Sequence, residues 1–251
     1  MTEHVDVELQ DRVLVMSFNR PERLNALTHA MYAAVADGLE RAADDAAIRA
    51  VVITAKGPAF TAGNDLDEFA AGMPEGKPPV IRFLEALKDA PKPVIAAVNG
   101  PAVGVGLTML LHCDLAFATE SATFHAPFAQ IGLVPEAGSS LLLPQALGMA
   151  WANDILLAGR KLSAEEALSA GLISRVYAQD KLMPSTLKTA AAIAAQAPQA
   201  TIKSKQLIRS GGQAVTEQMV KEGAHFNAQL KSAEFAEAVA AFKQNRAPRF
   251  D

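Results

Sequence analysis

A chain of 251 residues, half of them hydrophobic, is long enough to bury a substantial core as one globular domain, with or without an appendage. Its formal net charge of −4, spread over interspersed acidic and basic residues, offers no basic face for nucleic acid and no polybasic patch for a membrane. A lone cysteine, Cys113, excludes an intrachain disulfide framework and a cysteine-based metal site, and it sits in an apolar run as a small hydrophobe would. The first residues, MTEHVDVELQD, are charged and lack the apolar core of a signal peptide. The run 109–115 is broken by His112 and Asp114, so neither export nor a membrane span is expected, and a cytoplasmic location fits.

Residues 5–9 alternate apolar and polar side chains and 13–18 form a second β-rich run, so a hairpin is predicted around Gln10-Asp11-Arg12. Leu27, Met31, Val35, Leu39 and Ala42 recur at helical spacing, with Thr28 as a candidate cap. A buried strand over 50–54 stops at Lys56-Gly57-Pro58 and leads through a polar, glycine-bearing turn, 60–65, into an apolar start at Leu66. The segment 72–79 (GMPEGKPP) reads as a loop; its glycine spacing and the Pro78 after Lys77 do not fit a phosphate loop. A short helix over 80–87 precedes the central stretch.

That stretch, VIAAVNGPAVGVGLTMLL over 94–111, is a strand buried on both faces, a turn at Asn99-Gly100-Pro101, and an apolar helix. Gly104, Val105 and Gly106 would then stand at the helix start, where backbone N–H groups lack intrahelical partners and favour a negative oxygen. A glycine-eased turn packing a helix on a sheet explains the same residues. A dinucleotide site would need a third glycine where Met109 stands. Further along come a strand over 114–118, a glycine turn over 131–140 before apolar residues 141–147, and a helix over 151–157. A capping box, Ser163 with Glu166, opens a helix ended by Gly171, and a last strand runs over 172–177. From Asp180 onward the period is helical, with breaks at Ala197-Pro198, Ser210-Gly211-Gly212 and Lys231-Ser232. The expected architecture is a layered α/β core over residues 1–190 and a C-terminal helical region over 191–251. Alanine-rich helices such as 189–196 carry little bulk and must pack on the core or on another subunit.

Two strand-end glycine turns in one α/β domain could hold an enolate or tetrahedral oxygen between two backbone donors, although spacing alone does not bring them together. The segments FTAGNDL (60–66), AAVNGPAVGVGLTML (96–110), CDLAFA (113–118), ATFHAPFAQIGLVPEAGSS (122–140) and AFKQNRAPRF (241–250) resemble the crotonase superfamily of acyl-CoA enzymes, in the right order and over essentially the whole chain. The resemblance implies a crotonase-like spiral of ββα repeats, a homotrimer or dimer of trimers packed through the C-terminal helices, and an acyl-CoA thioester as substrate with no separate cofactor and no metal. The oxyanion donors it implies are the N–H groups of Ala62 and Val105. The segment Ala62, Gly63, Asn64 and Asp65, together with Arg23 and Leu24, would lie along the CoA moiety, although Asp65 could equally stabilise its turn and Arg23 be a solvated charge. Lys203, Lys205 and Lys243 either pair with CoA phosphates or are solvated helix lysines.

Hydratases of this family carry two glutamates; matched along the motifs, those positions hold Thr108 and Phe128, neither of them a base. Glu136, in LVPEAGSS, falls where 3-enoyl-CoA to 2-enoyl-CoA isomerases carry their acid/base, and the combined motifs are most similar to the peroxisomal-type isomerase branch. Phe128 would make the pocket apolar. Without the family, Glu136 reads as a first-turn helix glutamate after Pro135. His112 and His125 lack metal-like spacing, and Ser139 and Ser140 lie in no nucleophile elbow. A hydratase or hydrolase of another acyl-CoA, and an acyl-CoA-binding protein without catalysis, remain as other readings.

Overall fold

The computed structural model describes residues 3–71 and 76–250. It opens with the expected hairpin, β1 (Val5–Gln10) and β2 (Val13–Phe18), turning at Asp11, whose φ is +52°. Helix α1 (His29–Asp44) begins one residue after Thr28, whose hydroxyl accepts the Met31 N–H at 3.2 Å. Then come β3 (Ala50–Ala55), α2 (Leu66–Ala71), α3 (Pro79–Lys88), β4 (Val94–Val98), β5 (Ala102–Val103) and α4 (Val105–Thr108). Next are β6 (Leu115–Thr119), β7 (Thr123–His125), α5 (Ser139–Leu147), α6 (Met149–Leu156), β8 (Leu162–Ser163), α7 (Ala164–Ala170) and β9 (Arg175–Tyr177). Helices α8 (Leu182–Ala194), α9 (Pro198–Ile208), α10 (Gly212–Gln229) and α11 (Ala233–Lys243) finish the chain, with breaks where the composition set them. Of the expected 72–79 loop, residues 72–75 lie outside the described ones.

The main sheet runs β1-β2-β3-β4-β6-β9, parallel except for the hairpin, and a small second sheet runs β5-β7-β8. β4 sits at its centre with every residue buried, which is why its sequence is continuously apolar. Alternate residues serve two faces. Val94, Ala96 and Val98 point into the larger core with α1 and α3, while Ile95 and Ala97 meet Val13, Val15, Val52 and Phe117 beneath α8. The alanines Ala190 and Ala194 let α8 lie close against that second face, so this helix packs on the sheet.

Several elements end a residue or two from the sequence reading, and three differ more for a local reason. The helix expected through residue 111 is one turn of α4 followed by a 3₁₀ turn over Met109–His112. The last strand shrinks to Arg175–Tyr177 because Leu172 and Ile173 are consumed closing α7, their N–H groups reaching back to the Ala167 carbonyl. The three-residue β7 was too short to leave a periodic signal. The capping box is present in full: Glu166 N–H donates to the Ser163 hydroxyl at 3.1 Å and Ser163 N–H to the Glu166 carboxylate at 2.9 Å.

Candidate active site

The two glycine turns do meet. Thr61 and Ala102 form an isolated parallel bridge, and the Val103 N–H donates to the Thr61 carbonyl at 3.0 Å. The contact is close enough to require glycine on both sides. A Cβ on Gly63, whose φ is +94°, would stand 3.1 Å from the Val103 carbonyl oxygen, and one on Gly106 would stand 2.5 Å from the Thr61 methyl. The chain therefore lays the 61–63 backbone along the start of α4. Val105 is the first residue of α4, buried, and its N–H has no acceptor among the described residues. The Ala62 N–H, in contrast, donates to the Leu24 carbonyl at 2.9 Å, so an oxygen arriving there would share or replace that bond.

One turn further along α4, the Thr108 hydroxyl donates to the Glu136 carboxylate. Glu136 stands at the head of a turn in which its own carbonyl accepts the Ser139 N–H at 3.0 Å, while Ala137 and Gly138 are both left-handed, with φ of +59° and +72°. Left-handed backbone is natural for Gly138 and costs Ala137 about 1 kcal/mol. Burial pushes the Glu136 carboxyl up to about 7, opposed by the Thr108 hydrogen bond and reinforced by the negative charge of Glu222. A carboxyl balanced near neutrality both accepts and returns a proton readily.

Glu136 opens onto a cavity of about 100 Å³ between α3 and α10. Val80, Ile81 and Leu84 form one wall; Met219, Gly223 and Phe226, at i, i+4 and i+7 of α10, form the other. Among the described residues lining it Glu136 is the only ionisable one, and Asn64 reaches it from the first glycine turn. The hydroxyl of Tyr32, a buried residue of α1, donates to the Asn64 carbonyl oxygen at 2.5 Å and thereby orients the amide. Burial, and then the nearby Glu136 charge, hold the Tyr32 phenol well above its ordinary value, so it remains a donor.

The enoyl-CoA hydratase/isomerase profile matches residues 8–251. The chain belongs to that family. A 2,3-dehydroadipyl-CoA hydratase of Escherichia coli (strain K12) is 34% identical over 250 residues, covering 97% of both chains. The enoyl-CoA delta isomerase 2 of Rattus norvegicus is 37% identical over 201 residues, covering 77% of this chain and 51% of that one. Among solved structures, an enoyl-CoA hydratase/isomerase from Pseudoalteromonas atlantica T6c is 55% identical with a TM-score of 0.96, covering 99% of this chain and 100% of that one. The fold is therefore the crotonase fold, and this hydratase/isomerase homologue is an acyl-CoA enzyme.

Within that family frame, the structure distributes the expected residues unevenly. Glu136, Asn64, Gly63, Ala62 and Val105 belong to one neighbourhood; several others do not join it. Asp65 is buried and serves its turn. Its carboxylate takes Arg20 at 2.7 Å and caps α2 by accepting the Asp67 and Glu68 N–H groups at 3.1 and 3.2 Å. Burial alone would raise its carboxyl, but Arg20 and the two N–H groups pull it below the usual range. Arg23 and Leu24 are exposed, Arg23 pairing with Asp67 at 3.3 Å. Phe128 is buried in the main core and lines no part of the cavity, whose apolar walls come from α3 and α10. Neither reading of Lys205 holds: it is buried, its ammonium bound to Asp114 at 2.6 Å and to the Lys92 carbonyl at 2.9 Å. Cys113 is buried, and burial pushes its thiol up to about 12.

Sequence reasoning missed Tyr32, Arg20 and Glu222. Tyr32 sits on the apolar stripe of α1 and looks like core. Arg20 lies in a turn, 45 positions from Asp65, and Glu222 lies on a polar helix more than 80 positions from the turn it touches. No local pattern marks any of them. Among the described residues no helix is long and apolar enough to cross a membrane.

Proposed function

We propose that this family member moves the double bond of a 3-enoyl-CoA to give the 2-enoyl-CoA, with Glu136 as its single acid/base. The observation that carries the proposal is that, among the described residues, Glu136 is the one ionisable side chain facing a largely apolar cavity, whose other polar side chains are Asn64 and Asn227, and it stands one turn of α4 from the Val105 N–H. In ionised form Glu136 takes the C2 proton, which is acidified by both the thioester carbonyl and the neighbouring double bond. The electron pair moves into the thioester oxygen, forming a dienolate. That oxygen accepts from the Val105 N–H, and from the Ala62 N–H as Leu24 yields it. Glu136 then returns the proton to C4, leaving the double bond between C2 and C3. Each oxyanion donor contributes about 10²–10³ in rate and the positioned base about 10²–10⁴.

Hydration requires a held water and a second acid or base. Thr108 occupies one of the glutamate positions of hydratases and is committed to Glu136, and Phe128 at the other is buried in the core. Glu222, the other carboxylate whose charge reaches Glu136, is engaged by the Gly138 and Ser140 N–H groups at 2.6 and 2.9 Å and by the Ser140 hydroxyl. The similarity to a delta isomerase supports the same choice. The full-length similarity to a hydratase keeps hydration as the second reading. No cofactor beyond the CoA of the substrate is called for. Apolar side chains left exposed on α9, α10 and α11, among them Leu207, Ile208, Val220 and Phe242, support a homotrimer or dimer of trimers, which sedimentation analysis would test.

The test is an ultraviolet assay with 3-hexenoyl-CoA, following the conjugated 2-enoyl thioester, run beside 2-butenoyl-CoA hydration. Rapid conjugation with negligible hydration, lost by 10²-fold or more in Glu136→Gln, is expected. Normal conjugation by Glu136→Gln would overturn the assignment; dominant hydration would establish the second reading.

A further inference from the structure

The turn that presents Glu136 is gripped from two directions by side chains that do not line the cavity. From one side, the buried His112, in the 3₁₀ turn after α4, meets the Ala137 carbonyl at 2.7 Å through Nε2. A carbonyl only accepts, so Nε2 carries the proton. From the other side, the buried Glu222 of α10 accepts the Gly138 N–H at 2.6 Å, the Ser140 N–H at 2.9 Å and the Ser140 hydroxyl. Gln218, one turn before it, donates to the same Ser140 oxygen at 2.8 Å. These bonds fall on the two left-handed residues, Ala137 and Gly138, and on the first turn of α5. Left-handed backbone at a non-glycine position persists only when its surroundings hold it, and the holding groups here are His112 and Glu222.

Glu222 also ties two parts of the molecule together. Met219, Gly223 and Phe226 of the same helix form a wall of the cavity, while Glu222 fixes the turn that carries Glu136 into it. We infer that Glu222 is a positioning residue that locks the Glu136 turn to α10, so that the C-terminal helix must be docked for the carboxylate to stand in its working geometry. This rests on Glu136 being the acid/base, but the structural link can be read separately.

The charged and titratable groups around Glu136 are few. Tyr32 on α1 is protonated throughout the working range, and burial lowers His112 to about 4, leaving it neutral above pH 5. Thr108 on α4 does not titrate. Among the described residues Glu222 is thus the one charge that both touches the turn and acts on Glu136 through space.

Two variants separate the two roles. Glu222→Gln removes the charge and keeps one acceptor oxygen, which serves either Gly138 or Ser140 while the amide NH2 faces the other; Glu222→Ala removes the charge and both acceptors. The midpoint of Glu136 is read directly, by ¹³C NMR of carboxyl-labelled glutamate with Glu136→Gln supplying the assignment, beside kcat and KM for 3-hexenoyl-CoA against pH. Glu222→Gln should move the Glu136 midpoint and the rising limb of kcat/KM to lower pH by about half a unit or more, with plateau kcat lying between those of the parent and of Glu222→Ala because one of the two anchoring oxygens remains. Glu222→Ala should lower plateau kcat by about 10–100-fold with KM changed little. The proposal fails if both variants keep the parental midpoint and kcat, or if Glu222→Gln loses turnover as fully as Glu222→Ala. Should Glu222→Ala not fold, the Glu222→Gln titration still decides. If Glu136→Gln itself retains turnover, the acid/base assignment falls, while the NMR midpoint continues to report whether Glu222 acts on Glu136.

Discussion

Replacing Glu136 by glutamine removes a titrating group and keeps its shape and its acceptor for the Thr108 hydroxyl. The parent carboxyl is held at about 7 in the folded protein against an ordinary 4.5, chiefly by burial. Between those values the folded protein keeps a proton that the unfolded chain has released, so folding stability falls as pH rises through the window. The loss due to this group grows from about 1 kcal/mol at pH 5 to about 3 kcal/mol at pH 8, at 1.36 kcal/mol per pKa unit. Glutamine carries no such penalty. Relative to its parent, the variant should therefore gain about 2 kcal/mol between pH 5 and pH 8, an upper figure because the carboxyl opens onto the cavity. In a chain of this size that corresponds to about 4–8 °C in Tm. Urea unfolding of both proteins at the two pH values, read by circular dichroism, measures it. Parallel stability profiles would refute the reasoning, because they would mean that Glu136 ionises as an ordinary glutamate. The variant expected to lose turnover is thus also expected to be the more stable protein in mild alkali.

Thr108→Val deletes the hydroxyl that stabilises the ionised Glu136, so the rising limb of kcat/KM should move up by about one pH unit, since a hydrogen bond to a charged group is worth about 1.5 kcal/mol or more. An unchanged limb would show that Thr108 does not tune the base. Gly106→Ala sets a methyl 2.5 Å from the Thr61 methyl and must part the two donor segments; kcat should fall about 10²-fold while Glu136 still titrates as in the parent. Asp65→Ala leaves Arg20 without its buried carboxylate, only the Ala26 carbonyl and the more distant Glu22 remaining, and α2 without its cap, and should cost about 3 kcal/mol in urea unfolding, with kcat per folded molecule within about threefold of the parent. A large loss of kcat with intact stability would instead return Asp65 to the substrate.

Most of the fold was legible because its signals are local. The fully apolar β4, bounded by Pro93 and Asn99, fits a doubly covered strand, Thr28 and the Ser163–Glu166 box mark helix starts, and the glycine and proline breaks of the C-terminal region are its helix ends. Glu136 and the two glycine turns were legible as well, through motifs that resemble a family. Where those motifs carry ionisable or bulky residues, the resemblance could not say what each side chain would do. Asp65 turned inward to Arg20, Phe128 went to the core, and Lys205 found Asp114, because a buried charge must be paired and a ring is buried wherever space allows.

Sequence by itself determined the order of elements, the buried central strand and the presence of one candidate carboxylate, all properties of neighbouring residues and their spacing. Only the tertiary structure decided that the Thr61 and Val105 segments lie side by side, that Tyr32 aims Asn64, and that Glu222 and His112 hold the Glu136 turn. These are contacts between positions 25 to 84 residues apart, made by one to three hydrogen bonds each. A hydrogen bond leaves no periodicity behind it, so its partner is known only once the chain has closed.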